Sequence, residues 1–365
     1  MPTRANAPLA QRIARELGTP AVVIDLDVVE RNIRRLQDAC TAAGLNNRPH
    51  IKTHKSPVLA AMQRDAGAKG ITCQKLGEAE VMAAGGLDDI LISYNLIGDE
   101  KMARLARLVR DGINVRPCCD NPVAVDYYAD AARQAGREIG VLVECDTGRE
   151  RAGVETPGEA IALARRITGH QGLRFDGLLL YAPEDKLAES QVFLDETKAG
   201  LAAHGLEAKI VSTGGTPNLA TLGTIKGATE HRSGTSIFND RMMLRCGAAT
   251  LEDCALAVYA TVVSRAGKDR GILDSGSKTL TSDTGGGLDG HGFIREFPKA
   301  RIKGFAEEHR MHDLAACDPK PEIGDIVSII PNHVCVVVNM VDQLVTVRGA
   351  ELVGTLPVAA RGKIV

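Results

Sequence analysis

From Ala21 to about Thr229 the chain alternates short apolar runs with segments of helical period, and this alternation limits what it can fold into. The runs that read as strands are 21–25, 49–52, 70–74, 89–94, 113–118, 139–146, 175–181 and 209–213. Helical spacing fills the intervals at 28–43, 57–66, 101–109, 122–135, 157–168 and 187–204. Asp27 with Glu30 has the form of a capping box opening the first helix, and Pro57, Pro122 and Pro157 stand where a first turn tolerates proline. Eight strands alternating with helices predict a (β/α)8 TIM-type barrel; strand counting leaves a doubly wound open sheet as the alternative. Beyond about Leu244, hairpin-linked strands at 258–266, 271–274, 325–330, 334–340 and 343–348 predict a mostly β C-terminal domain. The expected organisation is a barrel over 20–243 and a β-rich domain built from 1–19 with 244–365.

Length and charge narrow the function classes. At 365 residues the chain exceeds a single core of roughly 250–300 residues, so a barrel plus a second domain fits. Lys and Arg number 44 against 46 Asp and Glu, aromatics make up 3%, and Trp is absent, which leaves nucleic acid without a basic face or stacking rings. No apolar run approaches the roughly 18 residues of a membrane span, and the first 18 residues, with Arg4, Arg12, Arg15 and Glu16, lack a signal-peptide core. Nine cysteines without a C-x-x-C pair point to reduced thiols and a cytoplasmic location.

Catalytic groups of a barrel come from the C-terminal ends of its strands. Lys52, Gln74, Asn95, Arg151, Tyr181 and the stretch Ser212, Thr213, Gly214, Gly215, Thr216 all stand there. The glycine-rich stretch follows the last expected strand and precedes an expected helix, a combination suited to phosphate; an ordinary turn of small residues is the plainer reading. Lys52 lies between His50 and His54 with Lys55 close by, and neighbouring cations favour the neutral amine that Schiff-base chemistry needs. Lys55 meets the same description; strand alternation, with His50 and Lys52 both inward, favours Lys52. His333 and Cys335 stand two apart in an expected strand, so they share a face, and an imidazole–thiolate pair suits Zn²⁺. The third ligand stays open, with Glu307, Glu308 and His309 as a polar cluster to consider.

The motifs Arg48-Pro49-His50-Ile51-Lys52-Thr53-His54-Lys55 and Pro331-Asn332-His333-Val334-Cys335 resemble those of the D-threonine aldolase and D-serine dehydratase family, in the alanine-racemase-like (fold type III) group. Further similar stretches are Lys75 to Glu80, Gly85 to Leu91, Asp146-Thr147-Gly148 with Arg151 to Val154, Phe238-Asn239-Asp240, and Asp274 to Lys278 with Asp283, so the likeness runs along the whole chain. It implies pyridoxal 5'-phosphate on Lys52, with Arg151 toward the cofactor ring and Tyr181 and Ser212 to Thr216 in its pocket. It also implies a divalent metal on His333 and Cys335 (zinc first, manganese or magnesium as alternatives) and a homodimer.

Two features separate the branches of that family. Tyr181 is followed by Ala182-Pro183-Glu184-Asp185 with no histidine to act as base on a β-hydroxyl, and the metal pair is H-x-C, as in dehydratases, where aldolases often have H-x-D. The expected activity is therefore that of a lyase on a D-β-hydroxy-α-amino acid, dehydrating D-serine or D-threo-3-hydroxyaspartate to a 2-oxo acid and ammonia. The alternatives are an aldolase yielding glycine and an aldehyde, and an amino-acid racemase.

Overall fold

The computed structural model describes residues 7–365. The described chain divides into two compact units, one of 7–33, 53–56 and 235–361 and the other of 34–52, 57–234 and 362–365. The first strand, β1 (Ala21–Asp25), belongs to the former: it pairs antiparallel with β10 (Leu256–Ser264) and parallel with β16 (Gln343–Arg348). The sequence pattern places this segment first in the barrel. Nothing in four buried apolar residues and a half-buried aspartate tells which sheet they enter, and pairing with distant strands decides it.

The second unit is a ring of eight parallel strands: β2 (Asn46–Asn47), β3 (Ile71–Cys73), β4 (Asp89–Ile92), β5 (Asn114–Cys119), β6 (Ile139–Cys145), β7 (Leu173–Leu180), β8 (Ile210–Thr213) and β9 (Glu230–His231). The order runs β2-β9-β8-β7-β6-β5-β4-β3, and a parallel bridge between His50 and Thr72 joins its ends. The place expected for 21–25 is thus taken by β9, two residues long and too short to carry a period. The helices 57–65, 122–135 and 157–169 do begin at their prolines. Helix Leu26–Ala42 is capped differently from the expected box: Asp25 Oδ1 accepts the amides of Asp27 and Val28 at 2.9 and 3.3 Å, while Asp27 and Glu30 pair with Arg348. Leu91, Cys118, Leu142 and Leu179, from four successive strands, pack together in the core.

Charges in this unit form an extended network that runs from buried Arg48 and Glu230 out to half-exposed Arg174. Arg48 reaches Glu230 at 2.8 Å and Asp89 at 2.6 Å; Arg116 joins Asp89 at 2.8 Å to Asp176 at 3.0 Å; Arg174 meets Asp176 at 2.5 Å. Asp176 is aimed there by a bulge, since Val141 pairs with Phe175 but Leu142 with Gly177, leaving Asp176 out of the ladder.

The β-rich unit holds a nine-stranded sheet. β1 and β10 form its centre with β16, and β17 (Glu351–Pro357) pairs with β16. On the other side lie β11 (Arg270–Leu273), β14 (Arg310–Asp313) and β13 (Arg301–Phe305), while β15 (Ile326–Ile330) bridges β10 and β12 (Phe293–Ile294). Leu9, Ala10 and Ile13 of the first helix pack on Val23, Tyr259 and Val345 of this sheet. Residues 334–338, expected as strand, form a short helix. Three consecutive valines have strand propensity, but Asp240 takes the Val334 amide at 3.0 Å and starts a turn there, so tertiary context overrides propensity. Among the described residues no helix is long and apolar enough to cross a membrane.

Candidate active site

In the barrel unit the polar residues singled out above stand at the carboxyl ends of strands or just past them. The geometry at Lys52 differs from the expected strand alternation. After β2, Pro49 has no N–H to continue a ladder; His50 makes one bridge, and residues 51–53 turn as a 3₁₀ segment, with Lys52 half-buried on it. The Lys52 amide donates to His50 Nδ1 at 3.4 Å, so His50 carries its proton on Nε2 and offers it to Gln74 Oε1 at 3.2 Å, with Ser93 Oγ at 3.3 Å. Gln74 in turn donates to the Ser93 carbonyl at 3.0 Å. His50 thus braces the Lys52 turn against two neighbouring strands.

Asn95 takes part in a second cluster, donating to Asp120 Oδ1 at 2.9 Å, while Asp120 Oδ2 accepts the Gly153 amide at 3.0 Å. The loop after β6 is folded around Asp146, which accepts the amides of Gly148 (2.8 Å), Arg149 (2.6 Å) and Arg151 (3.0 Å). Burial alone would raise the Asp146 pKa; these amides outweigh it and hold the carboxyl below its usual range. The same loop presents two guanidinium groups to the Tyr181 ring, Arg149 at 3.9 Å and Arg151 at 5.7 Å from its centroid. Arg149 also donates to the Tyr181 and Ala182 carbonyls at 3.3 and 3.2 Å. Burial pushes the Tyr181 phenol up against the opposing pull of Arg149.

Ser212 and Thr213 close β8, the seventh strand of the ring rather than the eighth, and Gly214 and Gly215 lead from it into a 3₁₀ turn, Thr216–Thr221, in place of the expected α-helix. Its glycines are sterically required. Gly214 has φ +81°, and a Cβ there would lie 2.2 Å from the His231 ring; a Cβ on Gly215 would lie 2.8 Å from the Tyr181 ring. Thr216 Oγ1 and Ser233 Oγ are 2.7 Å apart, so the loops after β8 and β9 meet. Arg232, buried, donates to Ser212 Oγ at 2.7 Å and to the Leu180 carbonyl at 3.1 Å. Burial works against its charge, with Glu230 and Glu144 opposing, and burial likewise raises the pKa of Glu144.

In the β-rich unit His333 and Cys335 come together, by a different route from the one expected. His333 is the extended residue before the helix Val334–Val338 and Cys335 lies in its first turn, where the thiol hydrogen-bonds the imidazole. Asp240 organises the pair. Its fully buried carboxylate stands 2.9 Å from His333 Nδ1 and 3.0 Å from the Val334 amide, and its other oxygen caps helix Arg241–Arg245 through the Met243 amide at 3.0 Å. Burial opposes a charged His333, but the Cys335 sulfur and Asp240 outweigh it and push its pKa up to about 10. Thr53, the residue after Lys52, belongs to this unit and places Oγ1 3.2 Å from Cys335 Sγ. Glu308 is exposed and pairs with Lys278 at 2.8 Å, and among the described residues no three His, Cys, Asp or Glu side chains gather as a metal cluster.

Arg149, Arg232, Glu144 and Asp240 escaped the sequence reading as site residues. Asp240 had a signal, its place in Phe238-Asn239-Asp240; Arg232 follows a two-residue strand and had none.

The sequence model of the alanine racemase N-terminal domain matches residues 24–242. The chain belongs to the alanine racemase N-terminal-domain family. The family match begins inside β1, the strand that enters the β-rich sheet, and a serine dehydratase-type domain model matches 255–347. Within this family the chain is 34% identical to the D-threo-3-hydroxyaspartate dehydratase of Delftia sp. over 87% of its own length and 91% of the relative's. It superposes on the crystal structure of D-threonine aldolase from Filomicrobium marinum with a TM-score of 0.89 at 31% identity, covering 95% of this chain and 96% of that one. A cysteine-to-alanine mutant of a D-threo-3-hydroxyaspartate dehydratase in the metal-free form gives a TM-score of 0.85 at 30% identity, covering 94% and 97%. These relatives are lyases of D-amino acids.

Proposed function

We propose that the protein is a pyridoxal-phosphate- and metal-dependent lyase that dehydrates a D-β-hydroxy-α-amino acid to a 2-oxo acid and ammonia. The residues fit the phosphorylated cofactor: a loop closed to any side chain at Gly214 and Gly215, with Tyr181 beside it, suits an anion held by backbone amides. Lys52 would hold the aldehyde carbon, Ser212 to Thr216 the phosphate, and Tyr181 with Arg151 the ring. His333 and Cys335 would hold the metal, because Asp240 occupies Nδ1 and leaves the other ring nitrogen to pair with the thiolate, a donor set that suits zinc. Bound there, the cofactor supplies an electron sink for charge at Cα and the metal a Lewis acid for the β-oxygen.

The chain's own residues supply the remaining functions. The Lys52 amine takes the Cα proton, from a turn braced by His50. Arg149 and Arg151 set the Tyr181 ring, and Asp240 orients His333. The observation that carries the proposal is the hydrogen bond of Thr53 to Cys335, since it ties the metal pair to the residue next to Lys52 in the chain. The choice of dehydration over cleavage rests on the H-x-C pair, on the lack of a histidine after Tyr181, and on the dehydratase relative.

The test is product analysis. D-threo-3-hydroxyaspartate and D-serine should give a 2-oxo acid with ammonia, and chelation should remove that activity. Aldehyde and glycine from D-threonine without ammonia would reverse the reading toward aldol cleavage, which the aldolase superposition favours as second choice.

A further inference from the structure

Behind the loop from Ser212 to Thr216 lies a small cavity of about 20 Å³. Leu187, Leu222, Ile225 and Ala228 give it apolar walls, and His231 and Asn218 also line it. Two of their polar atoms are buried without a protein partner, His231 Nε2 and Asn218 Oδ1. Their chemistry is fixed by what their neighbours do. His231 donates through its other nitrogen to the Gly215 backbone, with the ring lying against Gly214, so Nε2 is an acceptor. Asn218 donates Nδ2 to the Ala182 carbonyl at 3.3 Å, so Oδ1 is likewise an acceptor. Both residues line the same cavity, and two unpartnered buried acceptors on its lining call for a molecule with two donors. The volume suffices for one water, which needs about 10–15 Å³ and at least two polar partners.

We infer that a single buried water bridges His231 Nε2 and Asn218 Oδ1, and that His231 is a positioning residue for the phosphate-holding loop. This rests on the proposed role of that loop. The bridge fixes the tautomer of His231, the ring then holds the Gly215 carbonyl, and the loop's two glycine amides keep their orientation. His231 closes β9 while the loop follows β8, so the arrangement couples the ends of the last two strands of the ring. The cofactor group it serves is the phosphate alone.

The experiment compares pyridoxal phosphate with unphosphorylated pyridoxal, titrated into the cofactor-free full-length protein and read by absorbance. The wild type should bind the phosphorylated form more tightly; equal affinities would sink the loop's phosphate role itself. His231→Phe keeps a planar aromatic ring but removes both nitrogens, and should weaken pyridoxal phosphate about 10-fold while leaving pyridoxal unchanged. His231→Asn, which retains a donor for the Gly215 carbonyl, should recover part of that loss. Asn218→Ala tests the water without touching the histidine and should shift the same ratio in the same direction. Loss of both ligands in equal measure marks a merely structural residue and overturns the inference. So does an unchanged ratio in the His231→Phe and Asn218→Ala proteins, or a crystal structure with the cavity filled by a side chain.

Discussion

Asp240→Asn isolates one carboxylate oxygen on which the metal proposal depends. Asparagine has the same shape, and its Oδ1 can still cap helix Arg241–Arg245 through the Met243 amide at 3.0 Å. The amide nitrogen then replaces the oxygen that faces the Val334 N–H at 3.0 Å and His333 Nδ1 at 2.9 Å. Donor meets donor at Val334, which leaves a buried amide without an acceptor and costs about 1–3 kcal/mol. At His333 the ring must offer Nδ1 as an acceptor, so its proton moves to Nε2, and a neutral imidazole in that tautomer has no lone pair for a metal. Loss of such an orienting carboxylate weakens metal binding by about 10–100-fold, or about 1.4–2.7 kcal/mol. The measurement is competition for zinc between the protein and a chelator of known affinity, with bound metal counted directly. Absorbance of the cofactor-loaded protein should be unchanged, since Asp240 acts on His333 and not on the barrel loops. An Asp240→Asn protein that holds zinc as tightly as the wild type would falsify the assignment of His333 as a metal ligand oriented by Asp240.

Lys52→Ala should abolish the visible absorbance of protein incubated with pyridoxal phosphate; a surviving band would move the role to Lys55. Gly214→Ala combines a φ of +81° with a Cβ 2.2 Å from the His231 ring, so thermal unfolding should show a loss of about 2–5 kcal/mol, and a stability within 0.5 kcal/mol of wild type (roughly the spread of neutral substitutions) would mean the loop adjusts freely. Acid should destabilise the fold through two buried imidazoles. Burial pulls His231 down to about 3 and His312 to about 4, against 6.5 as the ordinary value, so the unfolded chain takes up protons first. Their contribution is complete well above pH 6.5 and is lost as pH falls toward 4 and 3; between pH 6.5 and 5 the loss is about 1–2 kcal/mol for each. Denaturant midpoints across that interval should fall, and fall less in His231→Asn; a flat profile would contradict neutral burial of these rings.

The sequence by itself determined the kind of architecture and singled out most of the residues on which the proposed chemistry rests. Alternating strand and helix periods require a parallel sheet covered by helices, because each element must bury one apolar face, and prolines and glycines mark the turns regardless of what packs on them. Lys52, His333, Cys335 and the glycine pair at 214–215 stood out as candidates for the same reason: the chemistry proposed for them is carried by residue type and near neighbours. Tertiary structure alone decided which sheet Ala21–Asp25 joins, how two residues at Glu230–His231 complete the ring, and why Val334–Val338 turns into a helix. Those outcomes depend on partners two hundred residues away in some cases, as Val23 pairs with Ala257 and Val345, and a local pattern holds no record of them. Asp240 shows the division most clearly. It is one acidic residue among 46 along the chain, and only folding buries it against His333, where its charge sets the proton on a ring 93 positions further along.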